Sequence, residues 1–313
     1  MKILVIAEHA PLCETLFKPF EWAARGAFHT LCSVERSELE RTGTSFGEFD
    51  VIVDVCARGE RDVVALARRL GPVARYLLIS NGSVYADSHA VGLDEEAALR
   101  RPTVGSEQDL AAAERAARRL FGEERTLILR PGWVTGPSDP DDQLAAWFQR
   151  IRQGGEVLAP APARQRVQWV DGRDLADWAL SGLARGLAGT FNVCGPKEHT
   201  TLEQVLTQIV QYTNSDARLV WVDEVFLERE GVRSGELPLW APEDADRGHV
   251  LLDGTKAFLE GFEPRRLEDS LQEIQNAAAT TPRLSVRRER EILDRWSKTV
   301  ASQACALHAD RQI

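Results

Sequence analysis

The sequence predicts an α/β protein with a doubly wound parallel sheet and a smaller C-terminal substrate lobe. Buried apolar runs alternate with helical patterns along the chain, which is typical of a parallel sheet covered by helices on both faces. Met1–Ile6 and Phe49–Cys56 have the composition of buried strands. Helical patterns follow them at 14–25 and 61–70.

The remaining elements continue this alternation. Further strands are predicted at 28–33, 75–80, 125–130, 167–170 and 189–194, and further helices at 110–120, 173–183 and 201–212. The proline-rich stretch Glu156–Pro162 is predicted to be a loop, and 221–246 is acidic and irregular.

The tail after Pro282 carries apolar residues at helical spacing, namely Leu293, Trp296, Val300, Ala304 and Leu307. From this order of elements we expect a sheet domain over 1–155 that also includes 167–195. A lobe over 156–282 and a C-terminal helical extension over 283–313 complete the predicted organisation.

Composition excludes several classes of function. The 313 residues carry a net charge of −10, whereas nucleic-acid binders usually present a basic face. The five cysteines form no Cys-x-x-Cys pair and the six histidines are dispersed, so neither a disulfide framework nor a metal site is expected. The first apolar run is only as long as a strand, which predicts a cytoplasmic protein without a membrane partner.

Several stretches together resemble the extended short-chain dehydrogenase/reductase family, which contains NAD-dependent sugar epimerases and dehydratases. They are Phe49–Ala57, Leu77–Asp87, Leu127–Pro140, Gln168–Trp178, Gly189–Pro196, 236–240 and 261–267. The resemblance covers roughly residues 1–280 in element order. It implies a Rossmann-type fold, a small-molecule substrate, and a homodimer formed through the helix at 110–120 and the helix before it.

The resemblance also implies a nicotinamide cofactor bound at a Gly-x-x-Gly-x-x-Gly turn. Aligned without gaps, the three glycine positions are Ala7, Ala10 and Cys13. Glu8 adds negative charge beside the expected phosphates, and His9 lies in the same degenerate loop. The segment Glu35–Glu48 is too short for the usual helix–strand unit. We therefore expect no NAD(P) cofactor, the alternative being a cofactor held in a modified loop.

The family mechanism further implies a Ser/Thr that holds the substrate oxygen and a Tyr-x-x-x-Lys pair for proton transfer. The Ser/Thr position aligns with Asn81. The Tyr/Lys pair aligns with Val104/Gln108, or with Ser106/Leu110 after a shift of two residues. No Tyr-x-x-x-Lys occurs anywhere in the chain.

The candidate site therefore consists of polar and aromatic residues near the carboxyl ends of the strands, where open α/β sheets bind ligands. We predict Asn81, Tyr85 and Ser83 as catalytic residues, and as substrate-binding residues Ser80, Arg130, Trp133, Trp169, Asp171 and Trp240. Each has a structural alternative: the serines can cap local backbone, Arg130 can pair with a buried carboxylate, Asp171 can cap a helix, and the tryptophans can pack in the core.

Three functions are compatible with this pattern. The leading hypothesis is a cofactor-independent, non-redox enzyme of the isomerase, cyclase or lyase type, acting on a small molecule in specialised metabolism. The second is an atypical NAD(P)H-dependent oxidoreductase or epimerase that takes its proton from substrate or water. The third is a catalytically inactive protein that binds a metabolite or a partner protein.

Overall fold

A computed structural model describes most of the chain. The described residues are 1–8, 11–27, 29–41, 48–70, 75–101, 108–136, 143–242, 247–276 and 283–309. For 11–15, 39–41, 234 and 303–309 within these ranges, the structure describes the backbone only.

Strands and helices alternate as predicted. The described strands are β1 (Lys2–Ala7), β2 (Thr30–Glu35), β3 (Val51–Asp54), β4 (Arg75–Ile79), β5 (Thr126–Pro131), β6 (Val134–Thr135), β7 (Glu156–Pro160), β8 (Arg166–Asp171), β9 (Gly189–Val193), β10 (Gly195–Thr201) and β11 (Arg218–Val222). The described helices are α1 (Pro11–Gly26), α2 (Arg36–Arg41), α3 (Glu60–Arg69), α4 (Leu110–Phe121), α5 (Gln143–Arg152), α6 (Gly172–Arg185), α7 (Leu202–Thr213), α8 (Glu224–Arg229), α9 (Thr255–Leu259), α10 (Leu267–Asn276) and α11 (Val286–Ala309).

The central sheet has six strands in the order β2-β1-β3-β4-β5-β9, and all neighbouring pairs are parallel. Its inner strands are mostly apolar because helices cover both faces of such a sheet. Val51–Asp54 of β3 is fully buried, as are Tyr76–Ile79 of β4. The predicted α/β fold with a Rossmann-type parallel sheet is therefore confirmed.

Strand β2 forms one edge of this sheet. Among the described strands, β2 is the last on that side, and α2 is the one described element between β2 and β3. The register pairs Ala7 of β1 with Glu35 of β2, so both residues lie at the same carboxyl edge. The carboxyl ends of β1, β2 and β3 therefore lie at the same edge of the sheet.

The chain divides into two compact units. Unit 1 comprises Met1–Asp141, Gln168–Glu198 and Glu243–Arg266, and unit 2 comprises Asp142–Val167, His199–Pro242 and Leu267–Ile313. Residues 142–155 thus belong with unit 2, and 243–266 belong with the sheet in unit 1.

Unit 2 holds the C-terminal helix α11 through buried contacts. Ile292 of this helix is fully buried, and the Trp296 ring lies 5.0 Å from the ring of Phe226. Glu289 accepts hydrogen bonds from Arg150 Nε at 2.5 Å and from the Leu158 amide at 2.9 Å. Leu293 is also buried, whereas Val300 is 44% exposed, so the first part of the apolar stripe packs on its own chain.

Two of the regions that differ from the sequence prediction are 156–160 and 221–246. Residues 156–160, expected to be a loop, form β7, which pairs in parallel with β11 in a two-stranded sheet. Pro160 is the last residue of β7, a position at the end of an edge strand where proline is tolerated. The acidic region expected to be irregular begins with the end of β11 and contains α8, whose first turn is capped by Asp223.

Candidate functional site

A cavity of about 500 Å³ lies in unit 1 at the carboxyl ends of β1, β3 and β4. Open α/β sheets bind ligands at this edge. The described residues that line it are Glu8, Leu16, Val55, Cys56, Ala57, Arg58, Ile79, Ser80, Asn81, Ser83, Val84, Arg100, Arg101, Gln108, Asp109, Leu110 and Ala111. Three predicted site residues, Ser80, Asn81 and Ser83, are thus brought to one wall.

Ser80 immediately follows β4 and is held by its backbone. Its amide donates to the Leu129 carbonyl at 2.8 Å, and its side chain is almost fully buried. The Ser80 Oγ has no hydrogen-bond partner among the described residues. Since buried polar atoms are nearly always paired, this hydroxyl in the cavity wall is suited to a ligand atom or water.

Asn81 and Ser83 shape the turn that follows. The Asn81 Oδ1 accepts a hydrogen bond from the Ser83 amide at 2.8 Å and caps the 3-10 helix Gly82–Val84. A Cβ at Gly82 would stand 2.3 Å from the His249 carbonyl oxygen, so this turn requires glycine. The Asn81 Oδ1 is thus engaged by the capping hydrogen bond. The Ser83 side chain is exposed.

Tyr85 and Arg130 belong to a buried network behind this wall. The Tyr85 hydroxyl donates to Asn192 Oδ1 at 2.6 Å and accepts from Arg130 Nη1 at 3.0 Å. Arg130 binds Glu114 of α4 through two hydrogen bonds of 2.9 and 2.6 Å. Burial raises the pKa of Tyr85 although Arg130 acts in the opposite direction. The network joins the cavity turn to α4, β5 and β9.

The other four predicted substrate-binding residues lie elsewhere. Asp171 begins α6: its Oδ1 accepts from the Arg173 amide at 2.9 Å, and its Oδ2 pairs with the Arg173 guanidinium at 2.8 Å. Trp169 is buried, and the Trp133 carbonyl accepts from the Val170 amide between β6 and β8. Trp240 is buried in unit 2. None of these four is among the described residues that line the cavity.

Charged side chains around the cavity are of both signs. Arg58, Arg100 and Arg101 bring positive charge, while Glu8 and Asp109 bring negative charge. Arg100 Nε donates to the Tyr85 carbonyl at 3.1 Å, and Asp109 Oδ1 accepts from the Ala112 amide at the start of α4. The walls can therefore bind an anion, hydrogen-bond an oxygen and exchange a proton with a carboxylate.

A second charged cluster lies below the carboxyl ends of β2 and β3. Arg36 Nη2 donates to Asp54 Oδ1 at 2.5 Å, and the Tyr76 hydroxyl donates to Asp54 Oδ2 at 2.8 Å. Burial alone would lower the pKa of Arg36, but Asp54 and Cys56 raise it above its usual value. The Arg36 guanidinium is thus buried in its own network, while Glu35 remains at the strand end.

The degenerate loop is only partly within the described residues. Ala7 ends β1, and Glu8 lines the cavity. His9 and Ala10 lie outside the described residues, as does the side chain of Cys13. The described part of the loop thus contributes one carboxylate to the cavity.

Sequence reasoning missed the arginines and the residues that begin α4. Arg58 follows β3 at the same edge as Ser80, so the strand-end rule that selected Ser80 also points to it. Arg100 and Arg101 lie in an irregular segment without a periodic pattern, and no sequence signal identifies them.

In the part of the chain that the structure describes, no group of three metal-ligating side chains lies together, and no helix is long and apolar enough to span a membrane.

Comparisons with known proteins support the fold and a family. Residues 40–195, about half of the chain, match the sequence model of the NAD dependent epimerase/dehydratase family. A comparison with curated protein sequences finds no match.

Solved structures share the fold at low sequence identity. A dTDP-4-dehydrorhamnose reductase from Clostridium acetobutylicum has a TM-score of 0.61 and 15% identity over 88% of this chain and 99% of that chain. RMD from Pseudomonas aeruginosa, complexed with NADPH, has a TM-score of 0.60 and 16% identity over 88% and 98%. A dTDP-glucose 4,6-dehydratase from Bacillus anthracis, in complex with NAD, has a TM-score of 0.58 and 14% identity over 88% and 97%.

These comparisons overturn one expectation. The expectation that the protein binds no cofactor is wrong, because the matching family is NAD dependent and similar structures contain NAD or NADPH. That expectation weighed the lost glycines, the negative charge of Glu8 and the short segment Glu35–Glu48. It did not include the cavity at the strand ends or the arginine side chains in its wall.

Proposed function

The chain belongs to the NAD dependent epimerase/dehydratase family, and from this membership we propose that it binds a nicotinamide dinucleotide at the ends of β1, β3 and β4 and acts there on a small hydroxyl or carbonyl compound. The observation that carries the proposal is the cavity with the unpartnered, buried hydroxyl of Ser80 in its wall. When bound, the nicotinamide ring supplies a hydride donor or acceptor for a substrate carbon.

The described residues fit such a ligand. The volume of about 500 Å³ lies within the range of roughly 300–1,000 Å³ that is usual for ligand pockets. Apolar side chains from Leu16, Val55 and Ile79 line the cavity together with the arginines. A dinucleotide needs both surfaces, because it carries flat rings and a charged diphosphate.

Glu35 and Arg36 favour NAD(H) over NADP(H). In dinucleotide folds, a carboxylate at the end of the second strand binds the ribose hydroxyl, and a nearby arginine accommodates a 2′-phosphate. Glu35 ends β2 beside Ala7 of β1. Arg36 is instead buried against Asp54, so its guanidinium is committed to the protein interior.

We assign substrate binding to the turn that follows β4. The hydroxyls of Ser80 and Ser83 and the amide of Asn81 can hold and orient a substrate oxygen beside the cofactor. Tyr85 and Arg130 support this turn from behind through their hydrogen bonds. Because no Tyr-x-x-x-Lys pair is present, the proposed proton source is the substrate itself or water.

Calorimetric titration tests the cofactor preference. We expect the protein to bind NADH more tightly than NADPH. Replacing Glu35 by Ser is expected to weaken NADH binding about tenfold or more, since a hydrogen bond to a charged group contributes roughly 1.5–3 kcal/mol. The matched control is Glu38→Ser, which removes an exposed carboxylate in α2. The proposal fails if the wild-type protein binds neither dinucleotide, and the assigned preference fails if NADPH binds more tightly.

A further inference from the structure

Glu8 and Arg58 meet at the cavity from two adjacent strands. Glu8 follows β1 and Arg58 lies just beyond β3, and these strands pair in register from Ile3 with Val51 to Ile6 with Asp54. The Arg58 Nη2 lies 3.6 Å from the Glu8 Oε1, and both side chains line the cavity. The chain thus places an ion pair at the edge where family members have a glycine-rich turn.

We propose that Arg58 binds the diphosphate of the dinucleotide and that the Glu8 carboxylate competes with the diphosphate for the Arg58 guanidinium. This inference rests on the proposed function. In glycine-rich loops, backbone amides bind the diphosphate. Here the side chain of an arginine would bind it instead.

The local structure holds the backbone of Arg58 and leaves its side chain adjustable. The Arg58 amide donates to Asp62 Oδ2 at 2.7 Å, at the start of α3. Among the described residues, Glu8 is the one partner of its guanidinium, and the Arg58 side chain is 54% exposed. Such a side chain can turn toward a ligand without breaking a buried contact.

The strength of the contacts favours the diphosphate. The separation of 3.6 Å between Arg58 and Glu8 exceeds a normal N–H···O hydrogen bond, and exposed pairs of this kind contribute little. A diphosphate offers two negative charges and oxygens in the geometry that a guanidinium binds with two hydrogen bonds. Cofactor binding therefore exchanges a weak ion pair for a stronger one, and Glu8 reduces the affinity because it must be displaced.

The other arginines of the cavity are less suited to this role. Arg100 is tethered through its Nε to the Tyr85 carbonyl. Arg101 follows Arg100 in the chain and, unlike Arg58, does not come just after β3. Arg58 alone among the three comes from the loop that follows a strand adjacent to β1.

The test compares NADH, ADP and adenosine by calorimetry with the full-length protein. Arg58→Gln is expected to weaken the binding of NADH and ADP about tenfold or more, because it removes a charge-assisted contact of roughly 1.5–3 kcal/mol. Adenosine, which lacks phosphate, should bind the variant as it binds the wild type. Glu8→Gln should tighten NADH and ADP binding about two- to fivefold, since an exposed ion pair contributes roughly 0.2–1 kcal/mol.

A second surface ion pair provides matched controls. Arg119 and Glu60 pair at 2.7 Å with exposed fractions of 56% and 51%, and neither lines the cavity. Arg119→Gln and Glu60→Gln should leave all three affinities unchanged.

The outcomes separate this inference from the proposed function. A wild-type protein that binds no dinucleotide overturns both. A wild-type protein that binds NADH, together with an Arg58→Gln variant of equal affinity, overturns the role of Arg58 only. Equal weakening of adenosine and ADP in that variant, or an effect confined to Arg101→Gln, also contradicts it. Unchanged or weaker binding by Glu8→Gln contradicts the competition by Glu8.

Discussion

Replacing Glu114 by Gln is expected to destabilise unit 1 by about 3–5 kcal/mol, because breaking a buried ion pair leaves an uncompensated charge. Glu114 is fully buried, and Arg130, which it binds through both oxygens, is 1% exposed. A glutamine has one oxygen and no charge, so the Arg130 guanidinium would lose its counter-ion. At about 2–4 °C per kcal/mol, a fall in Tm of roughly 6–20 °C is expected in thermal unfolding.

The control for this substitution is Glu124→Gln. Glu124 pairs with Arg125 at 3.5 Å, but its side chain is 78% exposed. We expect its Tm to stay near that of the wild type, since exposed pairs contribute little. Equal Tm values for the Glu114 and Glu124 variants would contradict the role given to the buried network.

Replacing Asp54 by Asn is expected to cost a similar free energy of unfolding, about 3–5 kcal/mol. The Asp54 side chain is fully buried and takes hydrogen bonds from both Arg36 and Tyr76. Burial and the Asp54 charge raise the pKa of Tyr76 well above its usual value, so its hydroxyl stays protonated and donates. Asparagine removes the charge that stabilises the buried Arg36 guanidinium.

A double-mutant cycle tests that explanation. The loss of stability caused by Asp54→Asn should be clearly smaller in an Arg36→Met background, because the unpaired cation is then absent. Chemical denaturation of the four proteins measures this coupling. If Asp54→Asn is equally costly in both backgrounds, Arg36 and Asp54 are not energetically coupled.

The elements of the central sheet could be predicted from the sequence because their signals are local and strong. The apolar run at Phe49–Cys56 contains β3, and the Ala/Arg pattern at 110–120 coincides almost fully with α4. Strand β3 is buried within the sheet and α4 buries one apolar face, and periodic apolar patterns in a sequence indicate such buried faces. Strand ends moved by one or two residues, as expected where apolar character continues into a turn.

Other elements could not be predicted because contacts distant in sequence form them. β7 pairs with β11, more than fifty residues later, and Glu156–Pro160 alone resembles a proline-rich loop. Helix α5 was not predicted: it buries polar residues as well as apolar ones, including Arg150, which is satisfied by Glu289. Its helical pattern is therefore weaker than that of α4.

The candidate site was predicted in part. The strand-end rule selected Ser80, Asn81 and Ser83, and all three line the cavity. The rule also selected Tyr85 and Arg130, which face buried partners. Pairing with a buried carboxylate was the structural alternative for Arg130, but the sequence could not identify Glu114, because it comes from a helix some thirty residues after the Tyr85 turn. The expectation of no cofactor was wrong because the missing glycines describe one way of holding a diphosphate. They say nothing of side chains such as Arg58 that reach the same edge from β3.

The most direct test of the nicotinamide site is a crystal structure of the protein grown with NADH at saturating concentration. We expect the dinucleotide in the cavity at the ends of β1, β3 and β4. Its adenosine ribose should lie near Glu35, its diphosphate at Arg58 and its nicotinamide ring at the turn that begins with Ser80. A cavity without dinucleotide at saturating NADH, or a dinucleotide bound elsewhere on the protein, would contradict a nicotinamide site at these strand ends.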